Sequence, residues 1–301
     1  MRFTIFQDSR IGDRRGNEDR VGYSYSREVL LMTIADGMGG HAQGEVAAEI
    51  AVTEITRRFQ QEARNRLRKP PEFLVSAINS AHNAIVSYAV EKNLLECPRT
   101  TCVACIVQNG SAYWAHAGDS RLYLLRNGNL AAATSDHSRV QQMIEAGAIT
   151  PEAAARHPDR NKIFSCLGGV VPPQISVGRE FPLVIGDTIV LSTDGFWAQI
   201  PPALMGSMLK KQGVVDIFPG LISEAHRRAA GESDNLSVVA MTWEAQDDPH
   251  AADTTSLANE QFATSSNTEQ LDLGQPPDDV TEEDIERAIA EIQDAIRKVP
   301  R

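Results

Sequence analysis

The chain has 301 residues, 42% of them hydrophobic, and a formal net charge of −11 at pH 7. That length can bury a sizeable core, and the negative field excludes nucleic acid and anionic membrane surfaces as principal partners, because both would be repelled. No run of about 18 uncharged apolar residues is present and the start, MRFTIFQDSRIGDRRGNED, has no apolar signal region, so no membrane span and a cytoplasmic location are expected. In chain order the β-type runs are RFTIFQDS from Arg2, RVGYSYS from Arg20, VLLMTIAD ending at Asp36, TTCVACIVQ from Thr100, SAYWAHAG from Ser111, SRLYLLRNG from Ser120, DTIVLSTD ending at Asp194 and LSVVAMTW from Leu236. Asn-Gly turns such as QNGS at 108–111 and RNGN at 126–129 join several of them as hairpins. Helical patterning covers 44–61, 71–92, 138–146 and the region 201–230. Hairpins imply antiparallel sheets, so the expected fold is α+β: two stacked, mainly antiparallel sheets flanked by helices, a four-layer α-β-β-α sandwich.

Two local features carry less chemistry than they first promise. The basic stretch RRFQQEARNRLRK, Arg57 to Lys69, has helical spacing and reads as a solvated face. Cys102 and Cys105 spell C-x-x-C inside a strand, where residues three apart point to opposite faces and cannot chelate one ion. Together with Cys97 and Cys166 they are too few and too irregular for a disulfide scaffold, which fits reduced thiols.

Composition changes after Trp243. Residues 245–280 contain no Lys or Arg and few large apolar residues, the signature of an acidic flexible linker. Residues 281–301 then repeat Ile285, Ile289, Ile292, Ile296 and Val299 at helical spacing, with Thr281 as N-cap and Arg297 and Lys298 in the last turn. This amphipathic helix is marginal alone, so its stripe is expected to dock on its own catalytic domain, on a second copy or on a separate partner. The expected organisation is a catalytic domain at 1–244, the linker at 245–280 and the helix at 281–301.

The chemistry gathers at aspartates that close or open apolar runs: Asp36 and Asp194, each followed by glycine, and Asp234 just before LSVVAMTW. Strands would deliver these carboxylates to a common edge, where oxygen ligands and close backbone approach suit a hard divalent cation. A metal-dependent hydrolase follows as the first hypothesis. An aspartate before glycine is by itself only a turn signal, so the argument rests on the joint pattern. His41, His116 and His137 read as hydrogen-bonded structural residues rather than ligands.

RRGNED at 14–19, ADGMGGHAQGE at 35–45, AGDSR at 117–121, STDGF at 192–196 and SDN at 233–235, in this order, resemble the signature motifs of the metal-dependent protein serine/threonine phosphatases, the protein phosphatase 2C family, in its bacterial form. The resemblance runs from about residue 2 to residue 243. It implies two Mn²⁺ or Mg²⁺ ions, Asp36 as the bridging carboxylate, the Gly37 carbonyl completing one shell, and Asp194 and Asp234 as ligands of the second ion. It further implies that Glu18 and Asp19 act through metal-bound waters, Asp19 also as a base for the nucleophile, and that Arg14 grips the substrate phosphate. Asp119 resembles a ligand of a third, weaker metal site, assisted by Asn161. Phosphoserine and phosphothreonine proteins would be substrates, with a serine/threonine kinase as natural counterpart.

Elementary chemistry agrees with that scheme. A phosphate dianion is repelled by bare carboxylates unless divalent ions invert the local charge. Two ions about 4 Å apart can activate a shared water, and oxygen-only ligands favour Mg²⁺ or Mn²⁺ over zinc. A guanidinium binds two phosphate oxygens at once. Met38 stands where animal and plant relatives carry a histidine that protonates the leaving group, and Arg99 where relatives often have glycine. Two alternatives stay open: a phosphatase of a small phosphate ester, and a phosphoprotein-binding regulator with little turnover.

Overall fold

The structure, a computed structural model, describes residues 1–38, 43–63, 66–154, 156–245 and 263–266. His41 and the expected helix at 281–301 lie outside the described residues, as does most of the expected linker.

The strands are β1 (Arg2–Arg10), β2 (Asp19–Tyr25), β3 (Val29–Asp36), β4 (Cys102–Gln108), β5 (Ser111–Ala117), β6 (Arg121–Arg126), β7 (Asn129–Ala133), β8 (Ser176–Val177), β9 (Phe181–Pro182), β10 (Thr188–Ser192), β11 (Leu236–Ala245) and β12 (Ala263–Ser266). The helices are α1 (Gly44–Glu62), α2 (Pro70–Glu91), α3 (Arg139–Glu145), α4 (Pro151–Ala154), α5 (Asp194–Trp197), α6 (Pro202–Leu209) and α7 (Val214–Arg228). One sheet has the order β1-β11-β10-β6-β7 and the other β12-β2-β3-β4-β5-β8, with β9 also on β5. The recorded pairings are antiparallel.

Strand alternation builds three apolar layers. In β3, Leu30, Met32 and Ile34 face the other sheet with Val239, Met241 and Trp243 of β11. Val29, Leu31 and Ala35 of the same strand pack under α1 and α2 against Ile55, Phe59 and Ile78. On the far side Leu236, Val238 and Ala240 of β11 meet Phe196, Phe218 and Leu221 of α5 and α7. Helix, sheet, sheet, helix is the expected four-layer order. Each fully buried Leu, Ile or Phe in these layers contributes about 1.5–3 kcal/mol.

The expected strands are all present, and the departures are local. β7 reads NLAAA, a largely exposed alanine run that carries no strand periodicity. The single helical region at 201–230 is two helices divided by Gly213, the N-cap of α7. Within the expected linker, residues 263–266 pair antiparallel with β2, Ala263 opposite Tyr25 and Ser266 opposite Gly22. Cys102 faces the α1–α2 layer and Cys105 the inter-sheet layer, so the C-x-x-C is split across the sheet. Burial pushes the Cys102 thiol up to about 12. Arg57, Arg58, Arg66 and Lys69 pair with Glu54, Glu62, Glu28 and Glu72, which neutralises the basic stretch on the surface. Among the described residues no helix is long and apolar enough to cross a membrane.

Candidate metal centre

Antiparallel pairing brings strand ends of opposite direction together, and the acidic residues sit at those ends. Asp19 opens β2 directly opposite Asp36, which closes β3. Asp194 follows β10 as the first residue of α5, Asp234 precedes β11, and Asp119 lies in the turn from β5 to β6. One edge of the sandwich thus collects carboxylates from both sheets.

Backbone contacts fix these ends tightly. The Asp36 carbonyl accepts from Thr101 N and Thr100 Oγ1, each at 2.9 Å, while Asp36 N donates to Thr101 Oγ1 at 3.0 Å. Gly37 N donates to the Glu18 carbonyl at 3.1 Å. A Cβ on Gly37 would lie 2.4 Å from the Gly44 backbone, so only glycine fits there. Asn235 ties the 11–18 loop to the start of β11: Nδ2 donates to the carbonyls of Ile11 and Gly16, and Oδ1 accepts from Glu18 N. Asn235 belongs to the SDN string but has no role in the sequence reading; only the folded loop reveals one.

A cleft of about 720 Å³ is lined by Arg14, Glu18, Asp36, Gly37, Asp119, Asn161, Asp194 and Asp234, with Arg15, Met38 and Thr101 also on its wall. Asp19 stands behind this wall, 1% exposed, and its Oδ2 accepts from Thr193 Oγ1 at 2.8 Å. Arg14 Nη2 donates to Asp234 Oδ2 at 2.7 Å, and the other Asp234 oxygen accepts from Asn235 N. His116 and His137 stack at 4.6 Å between ring centroids, hydrogen-bonded to Ser135 and Ser176 as structural residues.

Burial first, and then the charge of the neighbouring acids, raises the pKa of these carboxyl groups. Burial and then Asp19, Asp194 and Asp119 hold Asp36 well above the carboxylate range. Asp19 is pushed to about 7, chiefly by burial. Burial, then Asp194 and Asp136, lift Asp119 to about 8. Burial and Asp234 lift Asp194 to about 6, against hydrogen bonds from Gly195 and Asp36. Glu18 is raised by burial and Asp234, and its buried Oε2 has no hydrogen-bond partner. Among the described residues no three of these side chains close into a ready-made cage around one point. Instead, a set of oxygen donors short of positive charge, with one buried acceptor unused, fits divalent cations whose shells are completed by water.

A sandwich of two sheets that gathers these carboxylates in an open cleft beside an arginine belongs to the class of metal-dependent phosphoester hydrolases. The sequence profile described as Protein phosphatase 2C matches residues 6–237. The chain belongs to the protein phosphatase 2C family. It is 32% identical over 241 residues to the serine/threonine phosphatase stp of Listeria innocua, covering 78% of this chain and 93% of that one. The solved serine/threonine phosphatase of S. agalactiae superposes with a TM-score of 0.73 at 29% identity, over 81% of this chain and 100% of that one. The catalytic domain of the phosphatase PstP, solved with two manganese ions, superposes with a TM-score of 0.65 at 30% identity, over 80% of this chain and 97% of that one. The protein is therefore a metal-dependent protein-serine/threonine phosphatase acting on phosphoproteins.

Proposed function

We propose that this cleft hydrolyses phosphoserine and phosphothreonine with two Mn²⁺ or Mg²⁺ ions held by Asp36, the Gly37 carbonyl, Asp194 and Asp234, with Glu18 and Asp19 acting through coordinated water. The ions, when bound, supply the positive charge that admits a phosphate dianion and lowers the pKa of the attacking water. Asp36 is the bridging carboxylate, since it interacts most widely with the other acids. Asp19, buried behind it and held by Thr193, is the acceptor for the nucleophile's proton. Arg14 leaves Asp234 to take two phosphate oxygens, as a planar guanidinium does. Asp119, with Asn161 on the opposite wall, forms a third, weaker metal position. Met38 cannot donate a proton, so the leaving group takes its proton from water or from another residue.

Beyond the site, a serine/threonine kinase is the counterpart whose products this enzyme reverses, and four free thiols fit a cytoplasmic setting. Residues 1–244 form the catalytic domain, 245–280 a linker that touches β2 through residues 263–266, and 281–301 a docking helix.

The observation that carries this reading is the convergence of acids from both sheets on one cleft beside Arg14. The test is phosphate release from a phosphothreonine peptide with Mn²⁺, Mg²⁺ or EDTA, for the wild type and Asp194→Ala. Metal-dependent turnover that falls at least about 100-fold in the variant is expected. Turnover in EDTA, or a variant as fast as the wild type, would place the chemistry on other residues.

A further inference from the structure

Asp119 and Asp194 each lie two residues beyond the Arg121–Ser192 pair of β6 and β10, so the sheet brings them near each other but pairs neither of them. A side chain ties the two turns together there. Trp197 ends α5, the single turn that begins with Asp194, and its indole Nε1–H donates to the Asp119 carbonyl at 2.9 Å. The Trp197 ring is itself held: the Arg121 guanidinium lies 3.5 Å over its centroid. Arg121 is locked in turn by a two-point ion pair to Asp136, at 2.7 and 2.8 Å, and by the Tyr123 hydroxyl at 3.1 Å. From the other side, His137 N donates to the Gly118 carbonyl and His137 Nδ1 accepts from Gly118 N. The Gly118–Asp119 turn is therefore gripped on both flanks, and only the Trp197 flank leads to Asp194.

We infer that Trp197, clamped by Arg121 and Asp136, is a positioning residue that holds the Asp119 turn against the turn carrying Asp194, beyond the last pair of β6 and β10, and thereby sets the affinity of the weak metal position at Asp119. This inference rests on the proposed ligand role of Asp119. The physical reason is that a carboxylate on a turn binds a cation well only if the turn is already where the ion needs it; otherwise binding must order it first. The indole N–H supplies that order through the backbone of the ligand residue itself. A stacked guanidinium, attracted to the face of the ring, keeps the indole from rotating. The cluster has a second consequence for charge. Asp136 stands close enough to raise the Asp119 pKa, and its pairing with Arg121 limits that repulsion.

Trp197→Phe is the informative change, because it keeps one aromatic ring under Arg121 while removing the pyrrole ring with its N–H. The full-length protein is titrated with Mn²⁺ by calorimetry, alongside Asp119→Asn and the double variant, with thermal melting in chelator to establish that each is folded. The expected result for Trp197→Phe is one Mn²⁺ site weakened about 10-fold, at the lower end of what loss of an outer-sphere partner costs. At saturating Mn²⁺, kcat and KM for the phosphopeptide stay within about twofold of the wild type. The double variant binds no worse than Asp119→Asn alone, since both changes act on one position. If Asp119→Asn weakens a site and Trp197→Phe does not, the clamp is refuted and the metal role of Asp119 stands. If Asp119→Asn itself binds Mn²⁺ like the wild type, the ligand role fails, and the inference falls with it.

Discussion

On the proposed reading, Arg14 exchanges one partner for another when a phosphate enters the site. In this structure its guanidinium neutralises Asp234 at 2.7 Å, with 60% of the side chain exposed. An exposed pair adds little to stability, about 0–1 kcal/mol. Its worth is in binding: at this exposed position two hydrogen bonds to phosphate contribute about 0.5–1.5 kcal/mol each. Arg14→Ala should therefore lower kcat/KM for a phosphothreonine peptide by about 10- to 100-fold while leaving the melting temperature within a degree or two, and Arg14→Lys should recover only part of the loss because a point charge lacks the fork. Steady-state kinetics beside a thermal melt would check this; a stability loss without a kinetic one would make Arg14 structural. At this scale the sequence was informative where a residue carries its own chemistry, as Arg14, Asp36, Asp194 and Asp234 do. It was silent on Asn235, Thr193 and Trp197, whose roles arise from partners 40 or more positions away that no local spacing encodes.

Elements place those residues, and the short ones were hardest to foresee. DTIVLSTD reads as one strand ending on Asp194, yet β10 stops at Ser192 and the chain turns helical at Asp194 for four residues. A single turn has no periodicity to detect, whereas the eight longer β-type runs bounded by turn residues were plain. What permits the turn is Gly195. A Cβ there would sit 2.2 Å from the Asn235 carbonyl and 3.1 Å from Asp234 Cβ, both held by rigid backbone. Gly195→Ala should destabilise the fold on the order of 3 kcal/mol and shift Asp194 from its place. Gly147→Ala provides the contrast: that glycine has φ of +69° but open space around its Cβ position, so only the left-handed strain of about 1 kcal/mol applies. Urea midpoints of the two variants separate steric collision from backbone strain. If Gly147→Ala proved the more damaging, the packing of α5 on β11 would not be what holds Asp194.

Across the whole molecule, the acidic edge belongs to both sheets at once: Asp19 and Asp36 on one, Asp194 and Asp234 flanking strands of the other, and Asp119 between them. Repulsion among them therefore works against the sandwich as a unit, and a divalent ion or a proton relieves it. The folded-state pKa values of Asp194, Asp19 and Asp119, about 6, 7 and 8, stand above the ordinary carboxylate value of 3.8. Groups raised in this way contribute stability that is full below the unfolded pKa and is lost as pH climbs through the folded values. His137 runs the opposite way: burial, then His116, depress it from 6.5 to about 4, so its contribution is full above 6.5 and is lost only on acidification. His82 and His116, also lowered by burial, behave likewise. Between about pH 6.5 and 8.5 these three histidines add only the last part of their rise, and the raised carboxyl groups dominate the slope. In chelator the melting temperature should fall across this window, by about 2–4 °C for each kcal/mol lost. With saturating Mn²⁺ the fall should vanish or reverse, because the metal binds the deprotonated acids and gains affinity as they ionise. A metal-free protein whose melting temperature is flat or rising from pH 6.5 to 8.5 would show that these acids do not repel one another across the sheets, and the electrostatic case for a metal at this edge would be lost.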